Sequence, residues 1–171
     1  PIQDVEPPTT LGNSQLGLRI SRLIRDYDTS FYLYSGWDPR PSPNFAVSTL
    51  ERHRFKMAGM SLQGPFHKNL LSGEFAYYGT TDTLGTNPAI PNPSLRWLAG
   101  LERTLAENRV LSFQFYQELV ANYGAYVATL PPGFPRQPRL QTVVTARYRD
   151  TLRRETVKRT LFVLYSPSDH D

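Results

Sequence analysis

The sequence predicts an all-β protein: an antiparallel, up-and-down transmembrane β-barrel with about eight strands visible, which is part of a larger barrel. Three observations lead to this prediction. Polar and apolar residues alternate along segments of roughly ten residues, the segments form four hairpins that recur about every forty residues, and short turns alternate with long connections. Because successive side chains of a strand point to opposite faces, each segment has one apolar and one polar face.

The four hairpins are read in order from pairs of alternating segments. Their first strands begin near Leu16, Phe55, Leu95 and Leu140. Strands of roughly ten residues exceed the ~5–6 residues usual in globular proteins and match the ~9–11 residues of tilted transmembrane strands. The pairs are SQLGLRISRLIR with TSFYLYSGWD, HRFKMAGMSLQ with LLSGEFAYYG, SLRWLAGLERTL with RVLSFQFYQEL, and LQTVVTARYR with TVKRTLFVLYS.

Turns and connections alternate in length along the chain. Turns of about three to six residues are predicted near Asp26–Asp28 and at GPFHKN, AEN and DTLRRE. The connections at 38–52, 80–94 and 120–138 are long and rich in Pro, Asn and Thr. Short turns on one rim and long loops on the other are typical of outer-membrane barrels, in which the short turns are periplasmic. A forty-residue repeat also occurs in β-propellers, but a propeller blade needs four short strands per repeat.

The same alternation predicts how the chain is organised. Residues 14–167 form the barrel segment, 1–13 are an extracellular loop or linker, and 168–171 begin another extracellular loop. Since both ends then lie outside the cell, we expect an internal segment of a barrel with ten or more strands. The opening PIQDVEPPTT lacks the apolar stretch of a signal peptide, so we expect either a removed leader or a chain that begins within a longer protein.

The strand register is predicted by placing as many apolar residues as possible on one face. Charges in mid-strand then fall on the other face, as a barrel requires, because Arg or Lys on the lipid face at mid-depth costs ~2–4 kcal/mol. This register turns Phe55 and Met57 outward and leaves the last strand ambiguous. The residues predicted to face lipid are Leu18, Ile20, Phe31, Leu33, Phe75, Leu95, Trp97, Phe113, Phe115 and Val144. The residues predicted to line the lumen are Arg19, Tyr32, Tyr34, Lys56, Glu74, Arg96, Glu102, Gln114, Glu118 and Arg147.

Aromatic residues gather near the predicted strand ends, where Trp37, Tyr77, Tyr78 and Tyr165 lie. Amphipathic rings favour the boundary between lipid head groups and acyl chains. Aromatic residues are also common in any β-protein, so this pattern supports a membrane location only together with strand length and loop alternation.

Composition and charge narrow the classes of partner. The charged fraction of the 171 residues is 20%, below the ~25% typical of soluble domains, and the aromatic fraction is 12%. The formal net charge is +4, and acids interrupt the most basic stretch, RDTLRRETVKR, so nucleic acid is not an expected partner. The absence of cysteine excludes disulfides and thiolate chemistry. No apolar run approaches the ~18 residues of a transmembrane helix, but barrel strands need no such run.

A family resemblance is carried by four segments: GLRISRLIRDYDTSFYLYSGWDPRPSP, LLSGEFAYYG, PSLRWLAGLERTLAENRVLSFQFYQE and LFVLYSPSD. They are similar to segments of porin-like outer-membrane β-barrel proteins of Gram-negative bacteria, a largely uncharacterised family, over most of residues 14–169. The resemblance implies an integral protein of the bacterial outer membrane. Membrane lipids, lipopolysaccharide and other outer-membrane subunits are the partners it implies. It assigns no site residue and no cofactor.

No catalytic, cofactor-binding or metal-binding residue is predicted from the sequence. His53, His67 and His170 lie far apart in turns, loops or the tail, whereas a metal site needs ligands brought together at defined spacing. The tail SPSDHD contains Ser, Asp and His side by side, but adjacent residues cannot face one another as a catalytic triad requires. A serine hydrolase at the rim of the barrel stays an alternative hypothesis.

Three functions follow from the predicted fold. The first is a porin-like channel for small solutes or ions, in which the excess of basic lumen residues favours anions weakly. The second is a non-conducting structural or scaffold barrel in an outer-membrane complex. The third is a soluble, lipocalin-like binding barrel. Conductance across a bilayer would distinguish the channel from the scaffold barrel. A protein that stays monodisperse without detergent would indicate the soluble barrel.

Overall fold

The computed structural model describes residues 3–44, 47–152 and 156–168. It is mostly β-strand (62%) with antiparallel sheets, which confirms the all-β class. Eight strands form one large sheet and three short strands form a second. The large sheet contains β2 Leu16–Ile24, β3 Tyr27–Trp37, β6 Arg54–Phe66, β7 Asn69–Thr80, β8 Ser94–Ala106, β9 Arg109–Val120, β10 Leu140–Leu152 and β11 Val157–Tyr165. The small sheet contains β1 Gln3–Val5, β4 Ser42–Asn44 and β5 Thr49–Glu51.

The large sheet is a meander in which every strand pairs with its neighbours in chain order. The order is β11-β10-β9-β8-β7-β6-β3-β2, and all pairs are antiparallel. The predicted up-and-down hairpin order is therefore confirmed. No closed barrel is seen: in the described part of the chain, the outer edges of β2 and β11 have no paired strand.

The hairpin turns are shorter than predicted. Those within the described ranges contain two residues each, at Arg25–Asp26, His67–Lys68 and Glu107–Asn108, and part of DTLRRE lies outside the described residues. Arg25 and His67 both adopt a positive φ of 55°. The prediction of turns of about three to six residues was wrong, because residues typical of turns, such as the Gly and Pro of GPFHKN, lie in the strand.

Gly64 and Pro65 instead belong to β6, which runs on to Phe66. The Tyr27 hydroxyl donates a hydrogen bond to the Pro65 carbonyl at 2.9 Å. A Cβ at Gly64 would lie 2.5 Å from a ring carbon of Tyr27. The glycine therefore allows the Tyr27 ring to lie across β6, and this is a packing role rather than a turn role.

The long connections lie together at the other end of the sheet, here called the loop end. They contain structure that the sequence pattern did not predict, namely β4, β5 and a short helix α1, Tyr123–Thr129. Asn92 Nδ2 donates to the Ala121 carbonyl at 3.0 Å, and Asn122 Nδ2 donates to the Thr83 carbonyl at 2.7 Å. These bonds tie the second long connection to the third.

Strand β1, Gln3–Val5, lies against the loop end. Strand β1 pairs in parallel with β5. The Arg52 guanidinium donates to both carboxylate oxygens of Asp4, at 2.8 and 3.2 Å, and these bonds raise the pKa of Arg52 above its usual value. Within the described ranges, no helix has the length and apolar content needed to cross a bilayer.

Candidate functional site

The two faces of the large sheet differ sharply in chemistry. Residues directly opposite in antiparallel strands project to the same face, so the observed pairing assigns each strand residue to a face. One series of paired residues is Arg19, Tyr32, Gly59, Ala76, Arg96 and Glu118, and the face that it occupies is here called the polar face. The neighbouring series is Ile20, Phe31, Met60, Phe75 and Trp97, and its face is called the apolar face.

Ten of the residues predicted to face lipid lie on the apolar face, whereas Phe55 and Met57, which were also predicted to face outward, lie on the polar face. Phe31 is 53% exposed and Phe113 is 48% exposed, and no strand or helix packs over them. In the described part of the chain, no large hydrophobic side chain is buried. An apolar surface that is this continuous indicates contact with a membrane or another protein. The ten residues are Leu18, Ile20, Phe31, Leu33, Phe75, Leu95, Trp97, Phe113, Phe115 and Val144.

Aromatic side chains border the apolar face at both ends. Trp37, Tyr77 and Tyr165 lie toward the loop end, and Tyr27, Phe66 and Tyr148 lie toward the turns. Strand β3 has 11 residues from Tyr27 to Trp37, which span about 33 Å at ~3.3 Å per residue. With a tilt of ~45° this corresponds to a height of about 23 Å, close to the ~25 Å apolar band of outer-membrane barrels.

Tyr78 does not belong to this border. Because Tyr77 and Tyr78 are consecutive in β7, only one of them can project to the apolar face, and the pairing of Tyr77 with Ala58 and Leu95 places it there. Tyr78 is instead on the polar face.

A belt of stacked and paired side chains crosses the polar face near the loop end. It consists of Tyr34, Phe55, Tyr78, Arg96 and Glu118. The ring centroids of Tyr34 and Phe55 are 5.2 Å apart, and those of Phe55 and Tyr78 are 5.7 Å apart. The Arg96 guanidinium carbon lies 4.0 Å from the Tyr78 centroid, and one guanidinium nitrogen lies 2.9 Å from a Glu118 carboxylate oxygen. The belt thus joins five strands through contacts between side chains.

The belt is extended at each end by hydrogen bonds. The Tyr34 hydroxyl donates to Gln15 Oε1, and the Tyr116 hydroxyl donates to Glu118 at 3.1 Å. Arg96 Nε also donates to the Ser94 hydroxyl at 3.2 Å. Arg96 is therefore held by a ring, a carboxylate and a hydroxyl at once, which fixes its position on the face.

Two further polar clusters lie closer to the turns. Arg19 donates to the hydroxyls of Ser21 and Ser30, at 2.9 and 3.1 Å. In the second cluster Glu102 accepts a hydrogen bond from Ser112 at 2.8 Å, and guanidinium nitrogens of Arg147 and Arg149 lie 3.7 and 3.9 Å from the same carboxylate oxygen. Acids and bases on this face are thus largely paired with one another.

The pairing places all of the predicted lumen residues except one on the polar face. They are Arg19, Tyr32, Tyr34, Glu74, Arg96, Glu102, Gln114, Glu118 and Arg147. Arg149 and Tyr116 share this face and were not predicted as lumen residues, although the alternation of β10 would have selected Arg149 together with Arg147. Whether this face lines a lumen stays a prediction.

Lys56 is the exception, and its placement in the lumen was wrong. It pairs with Ser35 and Gly79 and so lies on the apolar face, while Phe55 and Met57 lie on the polar face. The physical reason is the belt, because Phe55 fills the space between the rings of Tyr34 and Tyr78. Counting Phe55 and Met57 as outward apolar residues shifted the face assignment of this strand by one residue.

The long connections form the walls of an open cavity of about 660 Å³ at the loop end. Phe55, Tyr78, Arg96 and Glu118 of the belt form part of its lining, and all three long connections contribute walls. The walls are stiff because they include Pro41, Pro43, Pro88, Pro91, Pro135 and Pro138. A second cavity, of about 360 Å³, shares Tyr78 and Arg96 with the first and extends past Tyr32 and Glu74.

The described residues show no arrangement with catalytic geometry. His53 and His67 lie in different connections, and His170 lies outside the described residues. Ser166 and Ser168 approach each other at 3.4 Å and both contact the Thr142 carbonyl at 3.3 Å, which fastens the chain after β11 to the start of β10. Within the described ranges, no group of three or more His, Asp or Glu side chains could hold a metal ion.

No family model, curated protein or solved structure matches this chain. The resemblance to porin-like outer-membrane proteins therefore stays a prediction, and a functional assignment has to rest on the geometry of the two faces.

Proposed function

We propose that this sheet is part of the wall of an integral bacterial outer-membrane β-barrel that acts as a porin-like channel for small solutes or ions. The observation that carries the proposal is the contrast between the two faces. One is continuous, apolar, half exposed and bordered by aromatic rings at both ends, and the other holds paired acids, bases and hydroxyls. Lipid around the first face and water along the second would give each face surroundings that match its polarity.

The open edges of the sheet support a barrel with more strands than the eight described. Strands β2 and β11 each have nine residues and are exposed throughout. In a bilayer each unsatisfied backbone group costs several kcal/mol, so both edges need partner strands. A larger barrel would also leave an aqueous channel, whereas a barrel of eight strands is narrow enough for side chains to fill.

From the charges on the polar face we expect the channel to prefer anions weakly. Its basic residues are Arg19, Arg96, Arg147, Arg149 and Lys158, and its acidic residues are Asp28, Glu74, Glu102 and Glu118. Because the excess is small and most of these charges are paired, the field along a channel would be weak.

A non-conducting scaffold barrel is the second candidate, and the ordered loop end favours it. The small sheet, α1 and the hydrogen bonds between connections would present a fixed docking surface to another outer-membrane subunit. A soluble, lipocalin-like barrel is less well supported, because the apolar side chains are on the exposed face. We propose no enzymatic activity and no cofactor.

Conductance across a planar bilayer tests the channel. The protein reconstituted from detergent is expected to give discrete current steps with a small reversal potential toward anions in a salt gradient. The variant Glu118→Gln leaves the Arg96 charge unpaired and should increase this preference, while Glu107→Gln, in an exposed turn, serves as the matched control. Silent membranes that contain folded protein would favour the scaffold, and a monodisperse protein without detergent would overturn the membrane proposal.

A further inference from the structure

The apolar face carries cations on the side of the short turns. Arg22 of β2 and Arg103 of β8 project from this face near the turn ends of their strands, beside apolar residues such as Ile24 and Leu111. Arg25 and Lys68 occupy the first two hairpin turns. We call Arg22, Arg25, Lys68 and Arg103 the basic collar.

The collar residues are not neutralised by neighbouring acids. None of the four forms an ion pair of 4.0 Å or less with a described residue, and all four are exposed. Among the described residues, the acids in the turns are Asp26 and Glu107, which are exposed. Asp150, a further described acid on this side of the apolar face, is only 2% exposed and is already paired with Arg109 and Arg159.

The loop end of the same face differs. Its cations are Arg54 and Lys56, and Arg54 donates to the Gly12 carbonyl at 2.6 Å while it lies 5.0 Å from the Trp37 ring. Lys56 is exposed and also forms no ion pair of 4.0 Å or less. The turn end is distinguished by four such cations close to Tyr27, Phe66 and Tyr148, which border the apolar surface there.

We propose that the basic collar binds the phosphodiester groups of anionic phospholipids in the leaflet on the turn side. This inference rests on the proposed function, because it requires lipid against the apolar face. Guanidinium groups suit phosphate through paired N–H donors, and long Arg and Lys side chains place their charge at the interface while their stems cover apolar surface. For a lipid that contacts one of these cations, the expected preference for an anionic over a zwitterionic headgroup is about fivefold.

Quenching of a single tryptophan by brominated lipids tests the collar. The reporter is Phe113→Trp in a Trp37→Phe/Trp97→Phe background. Phe113 pairs with Leu101, which precedes Arg103 by two residues on the same face. The protein is reconstituted in mixed vesicles of phosphatidylcholine and phosphatidylglycerol in which only one of the two lipids is brominated. Quenching should show about fivefold enrichment of phosphatidylglycerol.

Replacement of the four collar residues by Gln should abolish this enrichment, so that the ratio falls to about one. The variant Arg40→Gln/Lys56→Gln/Arg136→Gln/Arg139→Gln, which removes the same charge at the loop end, should retain it. High salt should abolish the enrichment in the unmutated collar, because an exposed phosphate contact is screened. The salt dependence is measured on the protein with its collar intact, so it does not depend on folding of the collar variant.

The outcomes separate the two proposals. Absence of quenching by either brominated lipid overturns the membrane-spanning proposal and the collar with it. Equal quenching by both lipids, enrichment that survives the collar substitutions, or enrichment lost only in the loop-end variant overturns the collar while leaving the barrel wall intact.

Discussion

At the scale of single residues, close contacts between side chains determine which face a residue occupies where the alternating pattern does not. Phe55 is apolar, yet it lies on the polar face because the rings of Tyr34 and Tyr78 flank it at 5.2 and 5.7 Å. Lys56 is charged, yet it lies on the apolar face at the loop end, where its ammonium can reach water. The identity of a residue thus predicts its face only where no neighbouring side chain offers a specific partner.

Gly64 gives a direct test of this packing. In Gly64→Ala the new methyl would lie 2.5 Å from the Tyr27 ring and 2.8 Å from the Asp26 carbonyl oxygen, so we expect the free energy of unfolding to fall by about 1–3 kcal/mol. Gly73→Ala is the matched control on the adjacent strand, because its nearest atom, the Leu98 carbonyl oxygen, is 4.0 Å away. That variant should leave stability unchanged or raise it by up to about 1 kcal/mol. Urea unfolding in detergent measures both, and an equal effect at the two glycines would contradict the close contact.

At the scale of elements, the sequence predicts the strands better than their boundaries and registers. All eight long strands and their order follow from alternation, because a period of two over about ten residues is a strong signal. The sequence predicts a turn at Gly64-Pro65, whereas the pair continues β6, because its role depends on Tyr27 of another strand. Strands β4 and β5 and helix α1 were not predicted, because their short segments show no periodicity long enough to detect.

The face assignment of β6 can be tested by cysteine labelling, since the chain has no native cysteine. Met57 lies on the polar face and Ala58 on the apolar face. In reconstituted vesicles we expect a charged, water-soluble maleimide to label Met57→Cys and to leave Ala58→Cys unlabelled, because the latter would contact acyl chains. Both should react after denaturation, which controls for loss of the thiol. Labelling at Ala58→Cys alone would restore the register predicted from the sequence.

At the scale of the whole molecule, stability has to come from something other than a hydrophobic core. The described residues bury no large hydrophobic side chain, and the contacts are essentially those between adjacent strands and within the polar clusters. A single sheet of this kind is not expected to be stable in water, because its apolar face and its two open edges stay unsatisfied. A bilayer on one face and further strands at the edges would supply both, which is the arrangement that the proposed membrane wall requires.

Two alanine-to-lysine substitutions test this view of the molecule. Ala99 lies on the apolar face of β8, five residues from its start, and Ala76 lies on the polar face of β7 between Gly59 and Arg96. In lipid vesicles Ala99→Lys should lower the free energy of unfolding by ~2–4 kcal/mol, which is the cost of a cation near the middle of the lipid face. Ala76→Lys should lower it by less than about 1 kcal/mol, because water and Glu74 can accommodate the charge. The measurement is urea-induced unfolding from vesicles followed by tryptophan fluorescence. In a soluble protein with bulk water on both faces the exposed Ala99→Lys would be the milder change, so a larger loss at Ala76 than at Ala99 would show that the apolar face does not contact lipid.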